Sequence, residues 1–106
     1  MPTVNDVFKE MPNRFNAASA AGLNATVQFS LSGEGGGDWH VTIADGSIEV
    51  DEGKVDSPKA TILMDANDFV AMSTGQLNAM AAFMSGKIKV EGDLSTVMQM
   101  QSLLGL

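Results

Sequence analysis

Apolar and polar residues alternate along two stretches in the first half of the chain, and this period of two constrains the fold most. The stretches are separated by a glycine-rich segment at 33–37. Their apolar members are Val27, Phe29 and Leu31, and then Trp39, Val41 and Ile43. Such alternation is typical of strands that bury one face. Asp45-Gly46 is a tight-turn signal that predicts a hairpin to a third strand, which contains Ile48 and Val50.

Apolar residues at helical spacing precede this region. Thr3 is suited to cap a helix at the start of the chain. The inward positions of that helix are Val4, Val7, Phe8, Met11 and Phe15. Pro12 lacks the amide hydrogen that an interior helical position donates, so we expect a kink or a restart there. An alanine-rich turn at 16–21, ended by Gly22, is expected to follow.

The second half of the chain begins with a fourth predicted strand at 60–64. Asp65 is placed to cap the helix that follows it. Phe69 and Met72 then face inward at helical spacing, and Gly75 is expected to stop this helix. The sequence therefore predicts a direct passage from strand to helix at Asp65.

Two more helices are predicted to flank a short fifth strand at 87–90. The first ends at Gly86 and carries Leu77, Met80, Ala81 and Met84, with Phe83 beside them. The second begins at Leu94, with Val97, Met98, Gln101 and Leu104 on its main stripe and Met100 and Leu103 on the flank. Because its apolar surface is wider than one stripe, this last helix can cover something besides the sheet.

Length and composition exclude several classes of function. The 106 residues fit one domain spanning 1–106, and the absence of cysteine excludes disulfides and thiolate metal sites. Thirteen acidic and six basic residues give a net charge of −7, which would repel a phosphate backbone, so we expect no nucleic-acid partner. No apolar run approaches the ~20 residues that span a bilayer, and no signal-peptide pattern begins the sequence. We therefore expect a cytoplasmic protein with at most transient membrane contact.

The sequence offers no constellation suited to catalysis. His40 is the sole histidine, and its neighbours on the predicted strand point to the opposite face, so it lacks a partner nucleophile or a set of metal ligands. The acidic run at 45–56 has Val50 where a calcium-binding EF-hand loop needs glycine. The glycines at 33–37 precede a strand instead of opening a helix, which argues against a phosphate site. We expect no catalytic residue, no metal and no cofactor.

Methionine is the main chemical clue. Six of the eight methionines lie in the second half at inward or flanking positions, namely Met64, Met72, Met80, Met84, Met98 and Met100. The flexible methionine side chain fills irregular space and adapts to occupants of different shape, but it also serves in ordinary cores. Both interpretations stay open from periodicity alone. Gln101 on an inward face could bond either a ligand head group or the backbone.

Four blocks in the segment from 58 to 104 are distinctive: PKATI at 58–62, DANDF at 65–69, MSTGQL at 72–77 and above all AFMSGKIKVEGD at 82–93. In their order and spacing, these blocks resemble the sterol carrier protein 2 family. The final helix from 98 and the hairpin at 39–50 are also similar to the family. Members in peroxisomes end in a tripeptide like Ser-Lys-Leu, whereas the last residues here are Leu104-Gly105-Leu106, so peroxisomal import is not expected.

This resemblance implies an α+β fold with a five-stranded, mainly antiparallel sheet, helices on one face and a hydrophobic tunnel between them. Carried over by position, the tunnel lining would be Phe69, Met72, Leu77, Met80, Phe83, Met84, Ile88, Val97, Met98 and Gln101. The implied function is non-catalytic binding and transfer of a fatty acid, fatty acyl-CoA, phospholipid or sterol. Replacing Met84 or Met98 with aspartate is then expected to abolish binding of a fluorescent fatty acid.

Two other functions stay open from the sequence. A groove rich in methionine is also suited to the amphipathic helix of a partner protein. Alternatively, the chain is an accessory domain that presents lipid to a separate, lipid-metabolising enzyme. Both alternatives involve binding without catalysis.

Overall fold

The computed structural model describes residues 3–15 and 22–104. A mixed sheet of five strands forms the centre of the fold. The strands are β1 (Ala25–Ser32), β2 (Gly37–Ala44), β3 (Ser47–Glu52), β4 (Ala60–Asp65) and β5 (Ile88–Gly92). Their order across the sheet is β3-β2-β1-β4-β5, and the central pair β1 and β4 runs parallel while the other pairs are antiparallel. This confirms the predicted five-stranded, mainly antiparallel α+β fold.

Four helices in the same described ranges complete the fold. They are α1 (Val4–Arg14), α2 (Ala66–Ser73), α3 (Ala79–Met84) and α4 (Leu94–Leu104). The predicted cap at Thr3 is confirmed: its Oγ1 accepts the Asp6 N–H at 3.2 Å, and the Asp6 carboxylate accepts the Thr3 N–H at 2.9 Å. These reciprocal bonds occupy amide groups that have no partner inside the helix. Asp65 likewise caps α2 by accepting the Asn67 N–H at 2.8 Å.

Two predictions about the helices need correction. No break occurs at Pro12, because this proline lies in the last turn of α1 and removes only one hydrogen bond before the helix ends at Arg14. The Arg14 guanidinium then donates to the Ser73 carbonyl at 2.9 Å, which ties the end of α1 to the end of α2. Leu77 lies before α3, because Asn78 caps that helix and accepts the Ala81 N–H at 3.0 Å. The turn predicted at 16–21 lies outside the described residues.

The helices cover one face of the sheet. Phe29 on β1 has Trp39 and Ile62 as its cross-strand partners, so the three side chains leave the sheet on the same side. Phe8 of α1 packs over this face, with its ring 4.5 Å from Trp39 in a stacked arrangement and 5.4 Å from Phe29 edge to face. Phe69 of α2 stacks on Phe8 at 5.0 Å. These four aromatic side chains join the first two helices to the sheet.

Gln28 is buried on the opposite face, where alternation predicted an exposed polar position. Its side chain is 6% exposed because the loop after β3 folds across it. The amide group donates to the carbonyls of Trp39 at 3.0 Å and Gly53 at 3.2 Å, and its oxygen accepts the Val55 N–H at 2.9 Å. A buried amide therefore fastens this loop to the sheet through satisfied hydrogen bonds.

Candidate functional site

An apolar cavity of about 280 Å³ lies between the sheet and the helices of the second half. Strands β1, β4 and β5 form its floor through Phe29, Ile62, Ile88 and Val90. The helices and the residues beside them contribute Met72, Ala79, Met80, Phe83, Leu94, Val97, Met98, Met100 and Gln101. Its size is close to the lower end of the range for small-molecule sites.

Strand pairing brings the floor residues together. Ile62 on β4 is paired with Phe29 on one side and with Val90 on the other, so all three side chains point toward the helices. Lys89 and Glu91 alternate with the floor residues of β5 and therefore point to the other face of the sheet. The floor of the cavity is apolar because the charges of β5 lie on the opposite side.

The wall from α4 follows helical spacing. Leu94, Val97, Met98 and Gln101 stand at i, i+3, i+4 and i+7, which places them along one side of the helix. Within the described wall, Gln101 is the sole polar side chain and none is charged. Such a lining favours an apolar occupant and offers neither a nucleophile nor a metal ligand set. The role of Gln101 toward a head group stays a prediction.

The cavity opens to solvent between α3 and the start of α4. Met80, Phe83, Leu94 and Met98 line it and are also exposed, with 54% of the Met98 surface accessible. Exposed large apolar side chains that gather at one place commonly mark a binding surface. These four residues, called the rim below, form the mouth of the cavity.

Seven of the ten side chains predicted from the family resemblance stand in this wall. They are Met72, Met80, Phe83, Ile88, Val97, Met98 and Gln101. The other three lie outside it. Phe69 is fully buried in the aromatic cluster, Leu77 lies in the loop before α3, and Met84 is 79% exposed because the short helix α3 buries Ala82 instead. Ligand contact by the seven wall residues stays a prediction.

Sequence reasoning missed six residues of the wall. They are Phe29, Ile62, Ala79, Val90, Leu94 and Met100. Phe29, Ile62 and Val90 each lie in a stretch where apolar residues alternate, so their inward orientation could be predicted. That they meet in one wall depends on the order of the strands in the sheet. On α4 the buried face is formed by Val97, Met100 and Leu103, so Met100 and Leu103 are core residues and not the predicted flank. The side chain of Leu104 lies outside the described part of the chain.

His40 belongs to the sheet face opposite the cavity. It is paired with Gln28, and its Nδ1 lies 3.0 Å from the Gly53 carbonyl oxygen. Its Nε2 lies 3.9 Å from an oxygen of Asp51. These contacts give His40 a part in holding the loop after β3.

The fold and the cavity define an α+β protein with an apolar, ligand-sized space under its helices. A sequence model of the SCP-2 sterol transfer family matches residues 4–105. The chain therefore belongs to the SCP-2 sterol transfer family, as the blocks at 58–93 predicted. Across residues 3–15 and 22–104, every helix is too short or too polar to cross a bilayer.

Sequences similar to this chain occur inside longer proteins. The chain is 34% identical over 104 residues to hydroxysteroid dehydrogenase-like protein 2 of Xenopus tropicalis, covering 96% of this chain and 25% of that protein. The corresponding mouse protein is 31% identical over 103 residues, covering 95% of this chain and 21% of that protein. The chain thus spans about a quarter of the length of these curated relatives.

Solved structures share the fold. Palmitated sterol carrier protein 2-like 2 of Aedes aegypti superposes with a TM-score of 0.79 at 22% identity, covering 99% of this chain and 96% of that one. The stereoselective inverting sec-alkylsulfatase of Pseudomonas sp. superposes with a TM-score of 0.84 at 18% identity, covering 97% of this chain and 16% of that enzyme. The fold therefore occurs both as nearly a whole chain and as a small part of a larger enzyme.

Proposed function

We propose that this chain binds one apolar lipid molecule in the cavity and releases it unchanged. The observation that carries the proposal is the uncharged wall of about 280 Å³ that opens at an apolar rim. The Aedes aegypti protein with the same fold is palmitated, which supports an alkyl chain as the occupant. A single domain over 1–106 and a cytoplasmic location belong to the same proposal.

The cavity volume indicates how much of an alkyl chain is enclosed. A methylene group occupies about the volume of a water molecule in the liquid, roughly 30 Å³, so the cavity holds about nine of them. Burying nine methylenes is worth about 7 kcal/mol at ~0.8 kcal/mol each, and immobilising the lipid offsets part of this gain. The free energy that remains after this cost is suited to reversible binding. The rest of a longer chain would lie against the rim.

Exchange requires the mouth to widen, and α3 is the element best suited to move. Among the described side chains of α3, Ala82 alone is buried, whereas α4 is held to the core by Val97, Met100 and Leu103. Weakly anchored elements open at lower free energy than well-packed ones. We therefore assign the gate to α3 and not to the better-anchored α4.

Presentation of lipid to an enzyme is the second candidate function. It is favoured by the curated relatives, which are about four times as long as this chain and are dehydrogenase-like, and by the sulfatase that contains the same fold. A domain that holds the alkyl part of a substrate near a catalytic domain would need the same cavity. The two functions differ in whether the loaded chain acts alone or beside an enzyme.

Native mass spectrometry of freshly purified protein tests lipid binding. We expect a species heavier than the chain by the mass of one lipid, together with an empty species that takes up added lipid at one molecule per chain. Denaturing spectra of the same sample are the control, because a covalent adduct would survive there. A protein that is empty and also ignores added lipid contradicts the proposal and favours a groove for a partner's helix.

A further inference from the structure

The side chains around the cavity indicate which kind of polar end the bound lipid carries. This inference rests on the proposed function. We infer that the cargo is a lipid with an uncharged polar end, such as a long-chain alcohol or an ester, in preference to a fatty acid or an acyl-CoA of the same chain length. The reason is that neither the wall nor the rim carries a cation for an anionic head group.

No basic side chain lines the cavity, although all six basic residues lie within the described ranges. Lys89 belongs to β5 but leaves the sheet on the face opposite Ile88 and Val90. The Arg14 guanidinium is bonded to the Ser73 carbonyl at the end of α2. A carboxylate or phosphate inside the cavity would therefore meet no positive side chain.

The carboxylate of Asp93 stands beside the rim, near enough to Lys59 for the two charges to interact. Asp93 directly precedes the rim residue Leu94, and its carboxylate accepts hydrogen bonds from the Thr96 hydroxyl at 3.0 Å and the Ser95 N–H at 3.0 Å. The hydrogen bond from Thr96 lowers the pKa of the Asp93 carboxyl, so this group is ionised at neutral pH. Asp93 thereby occupies the N-terminal end of α4, where an anion would otherwise find free N–H groups.

An anionic head group is disfavoured in both of its placements. Inside the cavity it would lose its hydration without gaining a hydrogen-bonded cation, which raises the pKa of a carboxyl and favours its neutral form. Outside the mouth it would lie beside a chain whose net charge is −7, with Asp93 next to the rim residue Leu94. An alcohol or ester has no charge to desolvate, so it can enter the uncharged wall without this cost.

Competition between ligands of equal chain length tests this inference. The uncharged dye Nile red is bound to the protein and displaced by 1-dodecanol, dodecanoate or dodecanoyl-CoA at pH 8. We expect dodecanol to bind at least about threefold more tightly than either anion. A smaller ratio overturns the inference while leaving lipid binding intact. Failure of all three to displace the dye contradicts the proposed function itself, and the inference falls with it.

A matched pair of lysine variants tests whether the wall sets the preference. Met98→Lys places a cation at the rim, and Gln99→Lys makes the same charge change at an exposed position of α4 outside the wall. We expect Met98→Lys to shift the ratio of dodecanoate to dodecanol affinity toward the acid by about threefold or more, and Gln99→Lys to shift it less. Equal shifts would mean that net charge sets the preference and would overturn the inference, as would no shift in Met98→Lys.

Discussion

Replacing Met98 with aspartate is expected to weaken the binding of 1-dodecanol about tenfold or more, or ~1.4 kcal/mol. Met98 is half exposed at the rim, so the variant should fold while it presents a carboxylate to the alkyl chain. Either this carboxylate is desolvated by the ligand or it turns to water and leaves the wall incomplete, and both outcomes weaken binding. Displacement of Nile red measures the affinity.

Met84→Asp is the matched control for this variant. Both residues are exposed methionines near the mouth, and both were predicted from the sequence to matter for binding. Met84 nevertheless lies outside the wall and is 79% exposed, so its replacement is expected to change the affinity by less than about twofold. Equal losses in the two variants would indicate a general charge effect, and an unchanged affinity in Met98→Asp would contradict the assigned cavity.

Phe8→Ala is expected to lower the free energy of unfolding by about 3–5 kcal/mol. Phe8 is 1% exposed and contacts three aromatic rings from two strands and α2. Its removal leaves a cavity that these surrounding rings can fill only in part, and it also removes the aromatic contacts of α1 with β1 and β2. An effect of this size is a large share of the stability of a small domain.

Urea denaturation followed by tryptophan fluorescence measures this loss. Trp39 is the sole tryptophan and stacks on Phe8, so its emission reports directly on the aromatic cluster. Asn5→Ala provides the control, because Asn5 is exposed on the same helix. The control should stay within about 0.5 kcal/mol of the unmodified protein. A loss below about 1 kcal/mol in Phe8→Ala would show that the cluster is not the centre of the core.

The local features of the fold could be predicted because each depends on a few neighbouring residues. The caps at Thr3 and Asp65 follow from side-chain oxygens placed before a helix. Burial of Gln28 could not be foreseen, since it results from a loop that reaches across the sheet from Gly53 to Val55. The parallel pairing of β1 with β4 is likewise a long-range contact that period alone does not specify.

The candidate site was predictable only in part, for a similar reason. Helical spacing identified Val97 and Met98 as neighbours on α4, and the structure puts both in the wall. Spacing could not tell which methionine of α3 approaches the cavity, because that depends on how this short helix is rotated by the packing of Ala82. Val90 lies in the wall because it is paired with Ile62. Predicting this pairing requires knowledge of the strand order.

The position of a bound alkyl chain shows whether the cavity is the binding site. Isotope-filtered NMR of labelled protein with unlabelled 1-dodecanol detects which side chains lie within about 5 Å of the ligand. We expect contacts from the dodecyl methylenes to the methyl groups of Ile62 and Ile88 on the sheet and of Val97 on α4. Contacts confined to Met84, or to Leu63 on the other face of the sheet, would contradict this expectation.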